Sequence, residues 1–218
     1  MLESLFNPDN PLMRTINKII DLVVLSLVWT LGCLPVVTAG VSCSALYYAV
    51  VKAVRRDRSH AVREFWRSFK SNLKKGILSE LIWLVFAFMM LISDLPLAVS
   101  FLDTGKIQNT AMLILFAVKA LLLVGIACWF CPLMSRYDEK LLTLLKASLS
   151  MIVRHPFLTL LTIILVLIAV LLLVAEPLLA AMIPGFAMFA LSLLQEPALQ
   201  EICGECPDRE KTDAWFQE

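Results

Sequence analysis

Charge is scarce in this chain. Only 17% of its 218 residues are Asp, Glu, Lys or Arg, whereas 60% are hydrophobic and the mean hydropathy is +0.82. Average usage in soluble domains is nearer about 45–50% apolar, so the shortage excludes a protein whose main solvent is water. Catalytic signatures are missing as well. There is no Walker A sequence, Gly-rich phosphate loop, HExxH or Ser/His/Asp constellation, and the two histidines, His60 and His155, are solitary. These absences argue against an enzyme, and no metal site or cofactor is expected. The six cysteines include several inside apolar runs, which makes a disulfide framework improbable. Cys128 and Cys131 spell a CxxC within an apolar span and read as small apolar filler; Cys203 and Cys206 make a better metal half-site, but not a complete one. Residues 1–13 hold Glu3 and Asp9 and no basic residue, unlike a secretory leader, so the first apolar span is expected to act as an uncleaved anchor.

Long apolar runs are what the chain does have. A transmembrane helix needs roughly 20 predominantly apolar residues. The runs predict spans at about 19–37, 41–54, 77–97, 111–134, 157–175 and 178–194. The expected fold is therefore all-α: a polytopic integral membrane protein of about six transmembrane helices, with two cytoplasmic interfacial amphipathic helices. The second span is short or re-entrant. Gly40, Ser44, Ala45, Ala49 and Ala53 crowd it with small side chains that let helix backbones approach closely in lipid. Residues 1–195 read as one membrane domain, followed by an acidic cytoplasmic tail, 196–218, of disordered character.

Basic residues are unevenly placed. Two precede the first span, nine lie between residues 52 and 75, four between 136 and 154, and two in the tail. Only Lys106 falls in an outer loop and Lys119 within a span. Short loops rich in Lys and Arg remain cytoplasmic, which puts both termini inside. The first inner loop is patterned. With Ser59 as cap, Val62, Phe65, Trp66, Phe69 and Leu73 share one face, and Arg63, Arg67, Lys70 and Lys74 another. A basic helix with such a greasy face suits the membrane interface. The candidate lipid or partner surface is Arg63, Trp66, Arg67, Lys70 and Lys74. A second interfacial helix is expected over 136–154, with Leu141, Leu142, Leu145, Leu149 and Ile152 on its apolar face.

Lys119 is the most unusual residue, because an ammonium in hydrocarbon costs about 2.5–3.5 kcal/mol on lenient insertion scales. It calls for a carboxylate, and Asp94 and Glu176 are the candidates on the same outer half. A structural ion pair is the plainer reading, and a ligand or proton pathway the sharper one. Glu80, at the inner end of the third span, lies within reach of several bases and is expected in an interfacial ion pair.

Several stretches together resemble the YesL family of bacterial membrane proteins: Leu5-Phe6-Asn7-Pro8-Asp9-Asn10-Pro11-Leu12-Met13-Arg14, Leu34-Pro35-Val36-Val37-Thr38, Ala45-Leu46-Tyr47-Tyr48, the helix Phe65 to Lys75, and Arg154-His155-Pro156. The similarity covers about residues 5 to 195. The family's function is unknown, so no catalytic residue carries over. The resemblance implies the plasma membrane of a Gram-positive-type bacterium and genes often placed beside carbohydrate ABC importers. The leading expectation is accordingly a non-catalytic accessory subunit of such an importer, docking through the basic amphipathic helix 59–75 and the small-residue helix faces. Its expected partners are anionic inner-leaflet lipids and the importer's permease subunits, with no nucleic acid. The alternatives are a small secondary transporter or channel with Lys119 in its pathway, and a membrane regulator sensing envelope or lipid state.

Overall fold

The computed structural model describes residues 11–55, 60–104, 110–176 and 182–205. Among these, every element is helical and there is no strand. Helix α1 spans Pro11–Cys33 and ends before Pro35. A 3-10 turn, Val36–Thr38, follows, and the Thr38 hydroxyl donates to the carbonyls of Gly32 (2.7 Å) and Pro35 (2.9 Å). The hydroxyl thus reaches the Gly32 carbonyl, one of those left open where a helix stops. Helix α2, Ala39–Ala49, runs on as a π-helical segment, Val50–Arg55. With the 3-10 turn it makes a twenty-residue unit, and two-thirds of its most apolar window is buried. Ser42, Ser44, Ala45 and Ala49 are all buried, so the small-residue face expected to help dock a partner is covered by the chain's own helices, which its small side chains let approach closely.

Helix α3 departs most from expectation. It is one unbroken helix, Ala61–Thr104, of 44 residues, about 66 Å long at 1.5 Å per residue. The sequence predicts two elements here, an interfacial helix to residue 75 and a span from 77. Gly76 does not separate them, because it is a contact point: a side chain there would strike Val41 of α2. Pro96 does not end the helix either. Three contacts set α2 antiparallel to the first half of α3: Lys52 with Glu64, Val41 with Gly76, and Gly40 with Glu80. The turn joining α1 to α2 therefore lies level with the middle of α3. The expected Ser59 cap lies outside the described residues; His60, just before α3, has φ 79°.

Helix α4 spans Thr110–Arg136, α5 Leu141–Arg154, α6 Pro156–Ala175 and α7 Ile183–Glu205. His155 alone separates α5 from α6, donating its N–H to Met151 and accepting from Thr159. On α5 the buried stripe is Leu144, Ser148 and Met151, while Leu142 and Leu149 are exposed. Leu141, Leu145 and Ile152 of the expected apolar face flank that stripe and pack against the core, so the expected face is covered along one side only. Among the described residues, five segments are long and apolar enough to cross a membrane: 12–33, 36–55, 61–95, 110–136 and 156–175. The expected sixth span, 178–194, begins outside the described residues; its described part falls mainly on α7, which is not among the five. Instead α7 passes the expected domain boundary at 195 and remains helical to Glu205.

Two apolar clusters meet on α2. One joins Leu22 and Leu25 of α1 to Ala45, Leu46, Ala53 and Phe65. The other joins Tyr47 and Val51 to Trp129, Leu133, Leu144, Met151 and Leu199. Beyond them, the second half of α3 and most of α6 carry exposed Leu, Ile, Val, Phe and Met side chains, Phe86, Met89, Leu91, Leu167 and Leu171 among them. In water such a surface is prohibitive; in hydrocarbon it is the expected exterior.

Candidate functional site

The polar residues gather where α2, α3, α4 and α7 converge. Arg136, at the last position of α4, forms a buried ion pair with Glu196 of α7, and their side chains are 3% and 5% exposed. Tyr47 of α2 donates its phenol to the same carboxylate oxygen at 3.2 Å. A buried carboxylate costs several kcal/mol unless paired and hydrogen-bonded, and here a cation and a phenol meet one acceptor. A second network sits nearby. Lys52, 1% exposed within the π segment, donates to the Tyr48 hydroxyl at 2.9 Å and pairs with Glu64 at 3.2 Å. Arg55 donates to the Ser192 carbonyl at 3.0 Å. Two of the nine basic residues assigned to a solvated loop are thereby internal struts.

Backbone irregularity explains why α7 fits this place. Pro132 lies inside α4 and has no N–H to give the Cys128 carbonyl one turn earlier. The Gln195 side-chain amide, itself 1% exposed, donates to that carbonyl at 3.0 Å. At the other end of α7 the Gly185 N–H is received by the Ser26 hydroxyl of α1 at 2.8 Å. Gly185 is needed there, because a side chain would collide with the Leu22 carbonyl. The Trp129 indole donates to Thr159 at 2.9 Å, tying α4 to α6. Glu196 and Gln195 are therefore load points of the core, although the sequence places the start of an acidic tail at Glu196. The one cue was Gln195-Glu196-Pro197 directly after an apolar run; it reads as the end of a helix unless a basic partner is known.

The five residues of the candidate surface are found together and outside. Arg63, Trp66, Arg67, Lys70 and Lys74 are all exposed on α3. Their apolar neighbours turn the other way. Phe65 is fully buried against α1 and α2, stacked at 6.0 Å on Phe69, and a side chain at Gly32 would reach Phe69. The greasy face expected to enter lipid is consequently covered in part: Phe65 is buried, Val62, Phe69 and Leu73 are half-buried, and Trp66 is 42% exposed.

Lys119 lies at the far end. Its ammonium meets Asp94 at 2.6 Å and the Ser93 hydroxyl at 2.9 Å, with the two charged side chains 32% and 16% exposed. Glu176, the other candidate, is an exposed residue at the end of α6 and does not form this pair. A second pair, Lys75 with Asp138, joins α3 to the residue pair after α4. The two pairs are nineteen residues apart on α3 (Lys75 to Asp94), about 28 Å of helical rise. That approaches the roughly 30 Å of a hydrocarbon core.

Of the cysteines, Cys33, Cys43, Cys128 and Cys131 are free, and Cys43 of α2 meets Cys131 of α4 thiol to thiol. Cys131 thus fills a helix contact, in keeping with its reading as small filler. Among the described residues no cluster of three or more His, Cys, Asp or Glu is placed to hold a metal. The Cys203 and Cys206 half-site lies outside what is described of side chains.

Residues 22–94 match a family model described as a protein of unknown function, DUF624. The match covers about a third of the chain: the second half of α1, all of α2, and α3 as far as Asp94. It includes the exposed basic stripe, Lys52 with Glu64, and Glu80, and excludes Arg136, Glu196 and Lys119. No curated protein and no solved structure matches the chain.

Proposed function

We propose that this chain is a non-catalytic membrane adaptor that docks through the exposed basic stripe of α3, and that its partner is a carbohydrate ABC importer. The observation that carries the docking surface is the outward placement of Arg63, Trp66, Arg67, Lys70 and Lys74 on a helix that continues directly into an apolar span. A stripe held on a 44-residue rod is presented rigidly at a fixed height above the bilayer. The importer as partner rests on the resemblance to YesL proteins, a family that lies within DUF624, and the match at residues 22–94 supports that relationship. The same resemblance supplies the plasma membrane of a Gram-positive-type bacterium.

The orientation belongs to this proposal. The Lys75–Asp138 end carries the basic stripe and faces the cytoplasm under the positive-inside rule; the Lys119–Asp94 end faces out. Anionic lipid at the inner leaflet is a second occupant compatible with four cations and a Trp at a span's base. Lys119 needs no pathway to account for it, since Asp94 and Ser93 already receive its ammonium at the hairpin's end.

Reversing the stripe (Arg63→Glu, Arg67→Glu, Lys70→Glu, Lys74→Glu) tests the reading. Importer permease subunits should copurify with the wild-type chain in mild detergent and be lost from the variant, with normal expression of both. Copurification unchanged by the reversal would sink docking through α3; absence of importer subunits from the wild-type sample would sink the importer.

A further inference from the structure

Bordering the exposed apolar face of α3 is a half-open cavity of about 350 Å³ between α2, α3 and α4. Ligand sites begin at about this size. Its walls are almost wholly apolar, among them Ala87, Leu123, Ala127 and Phe130, and Glu80 is the one ionisable carboxylate. Glu80 accepts a hydrogen bond from the Gly40 backbone N–H in the first turn of α2, and a side chain at position 40 would displace it. Among the described residues it forms no salt bridge, and Lys75, five residues earlier on the same helix, is taken by Asp138. The expected interfacial ion pair of Glu80 is therefore not formed. A carboxylate inside an apolar span without a cation is a functional-site signal.

Three features name the missing cation. The groove beside the carboxylate accepts hydrocarbon. Trp83, one turn along α3, also lines the groove and adds an aromatic ring of the kind that recognises ammonium groups. Glu80 stands five residues beyond Lys75, about 7 Å along the helix, which puts it much nearer the Lys75 end of the span than the Asp94 end. We propose that the groove binds one membrane phospholipid with an amine headgroup, its ammonium on Glu80 and an acyl chain along α3 and α4. This reading needs only that α3 sits in a bilayer, and it stands whether or not α3 docks an importer.

The test uses the full-length chain, purified in mild detergent and stripped of lipid. It is offered equimolar phosphatidylethanolamine and phosphatidylglycerol of identical acyl chains, at an ionic strength that screens the exposed basic stripe. Native mass spectrometry reads the bound lipid. The wild type should retain a single phosphatidylethanolamine over phosphatidylglycerol by roughly threefold to fivefold, the range of a half-exposed charge pair. Glu80→Gln, which still accepts from Gly40, should bring the ratio to about one with an unchanged melting temperature. Ala127→Trp, filling the groove, should remove the adduct; Ala87→Leu serves the same purpose where the larger side chain prevents folding. Equal retention of the two lipids by the wild type, or a preference that survives Glu80→Gln, would overturn the proposal. So would an adduct that survives filling of the groove.

Discussion

The two ends of the α3–α4 hairpin are each closed by a lysine–aspartate pair, yet only one end is backed by a polar core. At the far end Lys119 and Asp94 stand with Ser93, and the ammonium side chain is one-third exposed. At the near end, behind Lys75 and Asp138, lie Arg136, Glu196, Tyr47, Lys52, Glu64 and Arg55, most of them sealed from solvent. The difference teaches where specificity of folding resides. In an apolar exterior, hydrophobic burial cannot distinguish one helix arrangement from another, since lipid is as apolar as leucine. Polar groups that must be satisfied can. The near end contains them, so the register of α2, α4 and α7 is set there, while the far half of α3 and most of α6 are free to face lipid.

The largest expected effect follows from breaking the sealed pair. Glu196→Leu leaves Arg136 buried without its carboxylate and should cost about 3–5 kcal/mol, seen as a fall in the thermal midpoint in detergent. Adding Arg136→Met should restore much of that loss, because an apolar pair of similar volume is often neutral or better. Failure of the second change to rescue the first would show that Tyr47 and the helix ends, rather than the ion pair, hold α7. The next effect is at the same end. Gly185→Leu drives a side chain into the Leu22 carbonyl and the Ser26 hydroxyl, and overpacking of this kind costs about 1–3 kcal/mol. Gln195→Leu should fall in a similar range, since it leaves the Cys128 carbonyl, already denied a partner by Pro132, unsatisfied. At the far end Lys119→Met should cost no more than about 1 kcal/mol, because exposure discounts the pair. A loss at position 119 as large as that at 196 would erase the contrast between the two ends.

Legibility in the sequence followed the same division. The apolar runs that became α1, α4 and α6 were visible because lipid-facing helices need little beyond length and hydropathy. The exposed stripe on α3 was visible because three- and four-residue spacing survives whatever the helix packs against. Lys119 with Asp94 was found because a charge in an apolar run demands a partner. The near end was not legible. Glu196 and Arg136 are sixty positions apart, and nothing local distinguishes a glutamate that closes a core from one that opens an acidic tail. The stretch over 59–97 reads as two elements because its charged and apolar halves differ in composition, whereas here Val41 packs against Gly76 and one helix runs through both halves. Lys52 and Arg55 were counted as loop charges because a π-helical continuation of α2 has no sequence signature of its own. What escaped was non-local satisfaction of polar groups.

The smallest stability effect is also the most informative about the docking face. Neutralising the stripe (Arg63→Gln, Arg67→Gln, Lys70→Gln, Lys74→Gln) touches only exposed side chains and should move stability by no more than about 0.5 kcal/mol per site. Flotation with vesicles rich in phosphatidylglycerol should nonetheless separate it from the wild type in a detergent-free assay of a soluble fusion of residues 59–75, where screening by salt mimics the substitution. The four charges are worth about 1 kcal/mol each near an anionic surface, so the loss of vesicle binding should be large although the fold of the full chain is unmoved. If instead the full-length variant melts well below the wild type, the stripe is part of the sealed end after all. The contrast would then lie between the two halves of α3, and no longer between the two ends of the hairpin.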